Sequence, residues 1–312
     1  TMSHELLEFS DEVKYALDSN TPIVALESSI ISHGLPYPEN IVTGNAVEDI
    51  IRSQGAVPAT IAIDQGKIHI GIHQTLMQRL ATSKEVAKAS RRDIAYSLSQ
   101  RITATTNVAA TMYCANLANI PLFVTGGIGS DHMHANENFD ISADLVELSS
   151  TPITVVCSGA KSILDLPKTL MMLETQGVPI IGYGTDEFPA FYSHSSGIAL
   201  VHRLDTPEAI ASVIHYQRRL NLNNGIIIAN PIPLSAEIPD SKIRPIIKQA
   251  QRDAQHINGK AITPFLLQRI AELTAGQSLH ANQALIKNNA LLGAKIALEY
   301  KKIQKSLDSN AV

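Results

Sequence analysis

The feature that most constrains this chain is an alternation. Short runs rich in Val and Ile recur along it: "PIVAL" (Pro22 to Leu26), "PLFVT" (Pro121 to Thr125), "ITVVC" (Ile153 to Cys157), "PIIGY" (Pro179 to Tyr183) and "GIIIAN" (Gly225 to Asn230). Longer stretches of helical periodicity separate them. Runs so short and so continuously apolar suit strands buried on both faces, and strands joined by helices pair in parallel. The fold class that follows is α/β: a three-layer α/β/α arrangement with a largely parallel central sheet and a helical C-terminal section. One stretch departs from the pattern. "PATIAIDQGKIHIGI" places the tight turn Asp64-Gln65-Gly66 between two apolar runs and reads as a hairpin.

The helical stretches are legible by their faces. "ENIVTGNAVEDIIRSQG" puts Ile41, Val42, Ala46, Val47, Ile50 and Ile51 on one side and ends at Gly55. "TTNVAATMYCANLAN" reads as a helix of small residues, and "ISADLVELSS" as another helix. Three more close the chain, from about Ser241 to His256, Pro264 to Leu273 and Ala281 to Lys302. Residues 1–20 read as an acidic, amphipathic helical extension, 21–305 as one domain, and 306–312 as a tail. Thr185 to Ser196 is polar and mixed, which suits a loop or lid.

Composition narrows the function. Apolar residues make up 45% of 312, enough for a sizeable core, yet no run approaches the eighteen or so apolar residues of a membrane helix. Net charge is −4 and no basic block occurs, so neither a membrane nor a nucleic acid is the expected partner. Cys114 and Cys157 both fall in apolar segments, as reduced core cysteines do, and the N-terminus lacks the blocks of a signal peptide. The expectation is a cytoplasmic protein acting on a small molecule.

In open α/β sheets ligands bind beyond the carboxyl ends of the strands, and unusual residues collect there. Glu27 ends "PIVAL", Thr125-Gly126-Gly127 ends "PLFVT", Lys161 follows "ITVVC", and Asn230 ends "GIIIAN". A lone lysine at a strand mouth is ordinarily a salt-bridge partner or a snorkelling side chain. The sharper reading is a nucleophilic amine, since burial favours the uncharged form. Glu27 suits a general acid, against a plain N-cap or ion pair. The glycines of "TGGIGSDHMH" allow close backbone approach to a ligand, or merely a turn. His132 and His134, with Glu137 and Asp140, match no zinc spacing. Asp140, just before a helix, is either an N-cap or a ligand for a hard cation. Lys88, Arg91 and Arg92 in "AKASRRD" form a compact basic cluster, either a solvated face or a phosphate contact.

Taken together and in order, "VALESSIISHG", "GAVPATIAI", "SRRD", "TGGIG", "FDISADL", "GAKSILDL", "VPIIGYGTDEFPAF", "ANPIP", "TPFLL" and "NNA" resemble the pseudouridine-5'-phosphate glycosidases, the group that includes the indigoidine-synthase-A-like proteins. The segments span nearly the whole chain, from about Val24 to Ala290. The resemblance implies an α/β/α fold, a homotrimer, and reversible cleavage of pseudouridine 5'-phosphate to uracil and ribose 5-phosphate, assisted by Mn²⁺ or another divalent cation. It assigns Glu27 as proton donor, Lys161 as covalent nucleophile and Asp140 as metal ligand. Lys88, the backbone at Val108, and Ser142, Ala143 and Asp144 match substrate contacts, and His132 and Asn282 match further polar residues of the site. Asn107 stands where the family usually has threonine, and Ser130 to Met133 replaces a segment that usually ends in arginine.

The chemistry agrees with a lysine. Ordinary glycosidases use two carboxylates and expel an oxygen leaving group. A C-glycoside has a carbon leaving group, so an electron sink is needed at C1', and an amine provides one. Two other readings use the same residues: a different Schiff-base lyase or aldolase acting on a sugar phosphate, and a nucleotide-binding relative without turnover.

Overall fold

A computed structural model describes residues 5–129, 143–161, 165–258 and 261–310. Ser130 to Ser142 lie outside the described residues, and with them His132, Asp140 and Ser142. From the N-terminus, β1 (Leu7–Phe9) and α1 (Asp11–Ser19) precede β2 (Ile23–Leu26), a π-helical turn (Ile30–Gly34) and α2 (Glu39–Ser53). The hairpin of β3 (Val57–Asp64) and β4 (Lys67–Ile70) leads through α3 (Gln74–Thr82) to β5 (Ala87–Ala89), α4 (Ile94–Ser99) and β6 (Ala104–Thr106). Next come α5 (Val108–Leu117), β7 (Leu122–Val124), α6 (Ala143–Ser150), β8 (Thr154–Cys157), α7 (Leu166–Thr175) and β9 (Ile180–Tyr183). The remainder comprises β10 (His202–Leu204), α8 (Pro207–Arg219), β11 (Ile226–Ala229), α9 (Asp240–Asp253), α10 (Ile262–Leu273) and α11 (Gln277–Asn310).

Among the described residues the strands form one 11-stranded sheet in the order β1-β4-β3-β2-β7-β8-β11-β9-β10, with β6 paired to β3 and β5 to β6. From β3 to β10 along that order every pairing is parallel, and the hairpin partners β3 and β4 are antiparallel, as the sequence implies. Side chains alternate between two cores. Val24, Leu26, Val124, Val156, Ile226 and Ile228 face α2, α8, α9, α10 and α11. Ala25, Phe123, Val155, Cys157 and Ile227 face α1, α5, α6 and α7. Each fully buried Val, Leu or Ile contributes about 1.5–3 kcal/mol relative to exposure, which is why central strands with no polar face persist. Gly293 brings α11 down onto the sheet, because a Cβ there would overlap the Val124 side chain.

Three segments differ from expectation. The expected helical extension at 1–20 also holds a strand among its described residues, since Leu7–Phe9 pairs in parallel with Ile68–Ile70 at the sheet edge. At the other end α11 runs on through Asn310, where a tail was expected from residue 306. The segment "KKIQKSLDSN" contains neither Gly nor Pro, so nothing in it stops a helix. The 185–196 segment forms no regular element, yet it is pinned rather than loose. Phe188, Phe191 and Tyr192 are buried, the Phe191 amide donates to Ser158 O at 3.1 Å, and Ser193 Oγ donates to Ile238 O at 2.6 Å.

Candidate active site

Glu27 follows the last residue of β2 and is held from two sides. Ser29 Oγ donates to its Oε2 at 2.7 Å, and Thr125 Oγ1, from the end of β7, donates to its Oε1. The backbone beyond it is fixed by hydroxyls. Ser28 Oγ donates to Ile61 O at 2.5 Å and accepts from the Thr106 amide at 2.9 Å, so β2, β3 and β6 are tied at their junction. Ser32 lies 2.6 Å from Thr105 Oγ1, within the π-helical turn. Such turns are rare and cluster at functional sites. This one directs Ile30, His33 and Gly34 into an open cleft.

Lys161 reaches the same cleft from β8. Its approach is set by a parallel extension beyond the regular strands, in which the Ile128 amide donates to Gly159 O at 3.1 Å and the Lys161 amide to Ile128 O at 2.9 Å. Gly159 makes the turn possible. It has φ +97°, and a Cβ there would collide with the Pro189 carbonyl.

The cleft also receives Lys88 from β5, Thr125, Gly126 and Gly127 from β7, and Asn282 and Ile286 from α11, while Leu266, Leu267 and Ile270 of α10 form an apolar wall. Four residues expected from the sequence, Glu27, Lys88, Lys161 and Asn282, are therefore brought together. Of the basic cluster, only Lys88 lines the cleft. Arg91 instead pairs with the buried Glu147 at 2.8 Å and lies over the Tyr113 ring, and the Arg92 side chain is 90% exposed.

Asp144 stands in the first turn of α6, buried. Its two oxygens accept from the Ala109 amide at 3.0 Å and the Gly129 amide at 2.9 Å, stapling the start of α5 to the glycine turn. Burial pushes its carboxyl up to about 6. The Lys161 charge and the two amide hydrogen bonds oppose that rise, and the Glu27 charge adds to it. Asp144 therefore shares the electrostatic field of both strand-end residues. Val108 opens α5 and Ala143 opens α6, on either side of that staple. Asn107 caps α5 through its own side chain, accepting from the Ala110 amide at 2.9 Å, so asparagine serves the cap where threonine is usual.

Phe191 and Tyr192 also line the cleft and escaped the sequence reading. Their rings meet edge to face with centroids 4.8 Å apart, and Phe191 has φ +61°, an uncommon conformation for a bulky residue. The signal for them was an aromatic pair in a chain with only 4% aromatic residues.

A family model described as Indigoidine synthase A like protein matches residues 12–299. The chain is 64% identical over 301 residues to the pseudouridine-5'-phosphate glycosidase of Legionella pneumophila, with 96% of this chain and 98% of that one covered. Against the protein of the same name from Caldanaerobacter subterraneus it is 53% identical over 304 residues, covering 97% and 99%. Among solved structures, the prealnumycin C-glycosynthase AlnA in complex with ribulose 5-phosphate superposes with a TM-score of 0.88 at 34% identity, over 97% of this chain and 99% of that one. The indigoidine synthase A-like protein of Thermotoga maritima gives 0.85 at 32% identity, over 95% and 97%.

Proposed function

The chain belongs to the indigoidine synthase A-like family, and we propose that it breaks the C-glycosidic bond of pseudouridine 5'-phosphate through a covalent adduct on Lys161. It is an enzyme, and its products are uracil and ribose 5-phosphate in a reversible reaction, the activity for which its near relatives are named. The observation behind the mechanism is that Glu27 and Lys161, from separate strands, line one cleft with Lys88 and Asn282.

The steps follow from the leaving group. The C1'–O4' bond breaks as O4' takes a proton, which opens the ribose, and the Lys161 amine, having given up a proton, adds to C1'. The bond from C1' to uracil C5 then breaks as C5 takes a proton, which Glu27 delivers, while the nitrogen lone pair closes the C1'=N bond. Water adds to that iminium and releases ribose 5-phosphate and the free amine. The AlnA ligand supports an opened sugar. Ribulose 5-phosphate, the ligand of that complex, carries its phosphate on O5 and so cannot close a furanose. Lys88 takes the 5'-phosphate as a point charge. Asn282, Asp144, Ala143, Val108, Ser142 and His132 complete the substrate contacts.

Asp140 is the proposed ligand for Mn²⁺ or another divalent cation. Among the described residues no three His, Cys, Asp or Glu side chains gather as a metal site. The carboxylates of Glu27 and Asp144 are already engaged by hydroxyl and amide donors. A hard cation needs only one or two protein carboxylates, with water and substrate oxygens filling its shell, so a single aspartate fits. When bound, the ion supplies positive charge to substrate oxygens. A homotrimer in the cytoplasm completes the proposal. Among the described residues no helix is long and apolar enough to cross a membrane.

The deciding experiment is uracil release from pseudouridine 5'-phosphate, with added Mn²⁺ and with chelator, alongside other pentose phosphates. Release that depends on Mn²⁺ and on Asp140 supports both parts. Release unaffected by chelator removes the metal. Preference for another pentose phosphate replaces this reading with that of a different Schiff-base lyase. Light scattering at the mass of three chains checks the assembly.

A further inference from the structure

Outside the lining of the cleft sits a buried carboxamide whose partners are the strand ends that bear the reacting groups. Asn289 of α11 is 0% exposed. Its Nδ2 donates to Thr125 O at 2.9 Å and to Ser158 Oγ at 3.1 Å, and its Oδ1 accepts from Asn230 Nδ2 at 3.0 Å. One side chain thus links the ends of β7, β8 and β11.

Two of those partners lead directly to the chemistry. Thr125 is the residue whose hydroxyl donates to Glu27. Ser158 begins the turn Ser158-Gly159-Ala160-Lys161, and its own amide donates to Gly126 O at 2.8 Å. Neighbouring buried positions of α11, such as Leu285, Leu292 and Ile296, are apolar. An apolar residue at 289 would fill the same layer without desolvating an amide. A satisfied buried polar network instead fixes a single arrangement of the groups it joins.

We propose that Asn289 is a positioning residue: it sets the spacing of the Glu27 carboxyl and the Lys161 amine by clamping the ends of β7 and β8 to each other and to β11. The proposal rests on the lysine-adduct reading above. It adds that the two groups depend on a side chain outside the lining of the cleft.

Three variants test it. Asn289→Asp keeps the shape but places an acceptor against the Thr125 carbonyl, Asn289→Ala removes the clamp, and Ser158→Ala removes one arm with the loss of a single oxygen. For the Asn289 variants, kcat per folded molecule should fall about a hundred-fold, the loss that a misplacement of about 1 Å can cause, with KM within about threefold of the parent. Ser158→Ala should lower kcat by a smaller factor in the same direction. A merely structural role would lower Tm and the folded fraction and leave kcat per folded molecule unchanged. That result in any folded variant of the three overturns the proposal, and Ser158→Ala decides alone if neither Asn289 variant folds. Lys161→Ala is assayed beside them. If it still turns over, the lysine reading fails on its own evidence, whatever the Asn289 variants do.

Discussion

At the carboxyl ends of β2 and β7 stand Glu27 and Thr125, joined by a hydrogen bond. At the amino ends of the same strands stand Pro22-Ile23 and Pro121-Leu122, which line a second cavity. Helix α11 serves both, giving Asn282 and Ile286 to the cleft and Ile296 and Tyr300 to the cavity opposite. Chemistry tells the two spaces apart. The carboxyl-end cleft gathers a carboxylate, two amines and a carboxamide, with hydroxyls and amides holding them. The lining of the amino-end cavity, among the described residues, has two cations, Arg218 and Lys301, and no Asp or Glu. Of the two, the first brings a carboxylic acid together with amines. Parallel pairing produces this asymmetry, because every strand then delivers its following turn to the same edge of the sheet.

The largest expected difference between the ends lies at Lys161. Lys161→Ala should abolish uracil release, and Lys161→Arg should as well, since a guanidinium stays charged and cannot form the iminium. Arg218→Ala, at the opposite end, should leave kcat and KM unchanged. Borohydride added with ribose 5-phosphate should trap an adduct that peptide mass spectrometry assigns to Lys161. Normal turnover by the arginine variant, or an adduct on Lys88, would break the comparison at its centre.

Lys88 should matter less. Its loss removes one charge-assisted contact, worth about 1.5–3 kcal/mol, so Lys88→Ala should lower kcat/KM for pseudouridine 5'-phosphate by roughly ten- to a hundred-fold. The unphosphorylated nucleoside should be affected far less. A variant that keeps the full preference for the phosphorylated substrate would return Lys88 to a solvated role.

Asp144 tests the electrostatics of the carboxyl end. Its carboxyl lies at about 6 against an ordinary 3.8, so the native chain holds that proton more tightly than the unfolded chain. The stability this contributes is fully present below about pH 4 and is lost as pH rises through about 6. Asp144→Asn cannot titrate. Its amide also leaves one of the Ala109 and Gly129 amides without an acceptor, a loss of about 1–3 kcal/mol. The stability difference between parent and variant should therefore narrow between about pH 4 and pH 7, measured as Tm against pH. In a Lys161→Ala background the narrowing should move to higher pH, because the opposing cation is gone. A difference independent of pH would mean that Asp144 does not titrate in that range.

How much of this was legible in the sequence depended on how local its cause was. The strands of the central sheet were readable because their apolar runs report burial directly, and Glu27 and Lys161 stood out as charges set against such runs. β1 was not readable, since three residues become a strand only through pairing with β4. The fate of Arg91 hinged on Glu147, 56 residues away, and that of Asn289 on Ser158 and Thr125, 131 and 164 residues away. Within α11 the pair Asn288-Asn289 breaks an apolar pattern, which flags a polar residue but does not say what it meets. Phe191 and Tyr192 sit in a segment that looked polar on average, and only the tertiary bonds of its backbone turn it into a wall of the cleft.

The smallest expected effect lies at the amino end, and it tests whether the ends are separable at all. Ile296 is fully buried, lines the second cavity, and lies fourteen residues along α11 from Asn282, about 21 Å by helical rise. Ile296→Val removes one methylene from a packed layer, which should reduce stability by about 0.5–1.5 kcal/mol and lower Tm by a few degrees at most. Packing defects of that size relax locally, and Gly293 anchors the helix against Val124 between the two sites. Turnover should then match the parent in both kcat and KM. A fall in kcat at unchanged KM would mean that α11 carries a packing change at the amino end through to Asn289 and Asn282. The two ends would then be one mechanical unit, and the division by chemistry would no longer be a division by function.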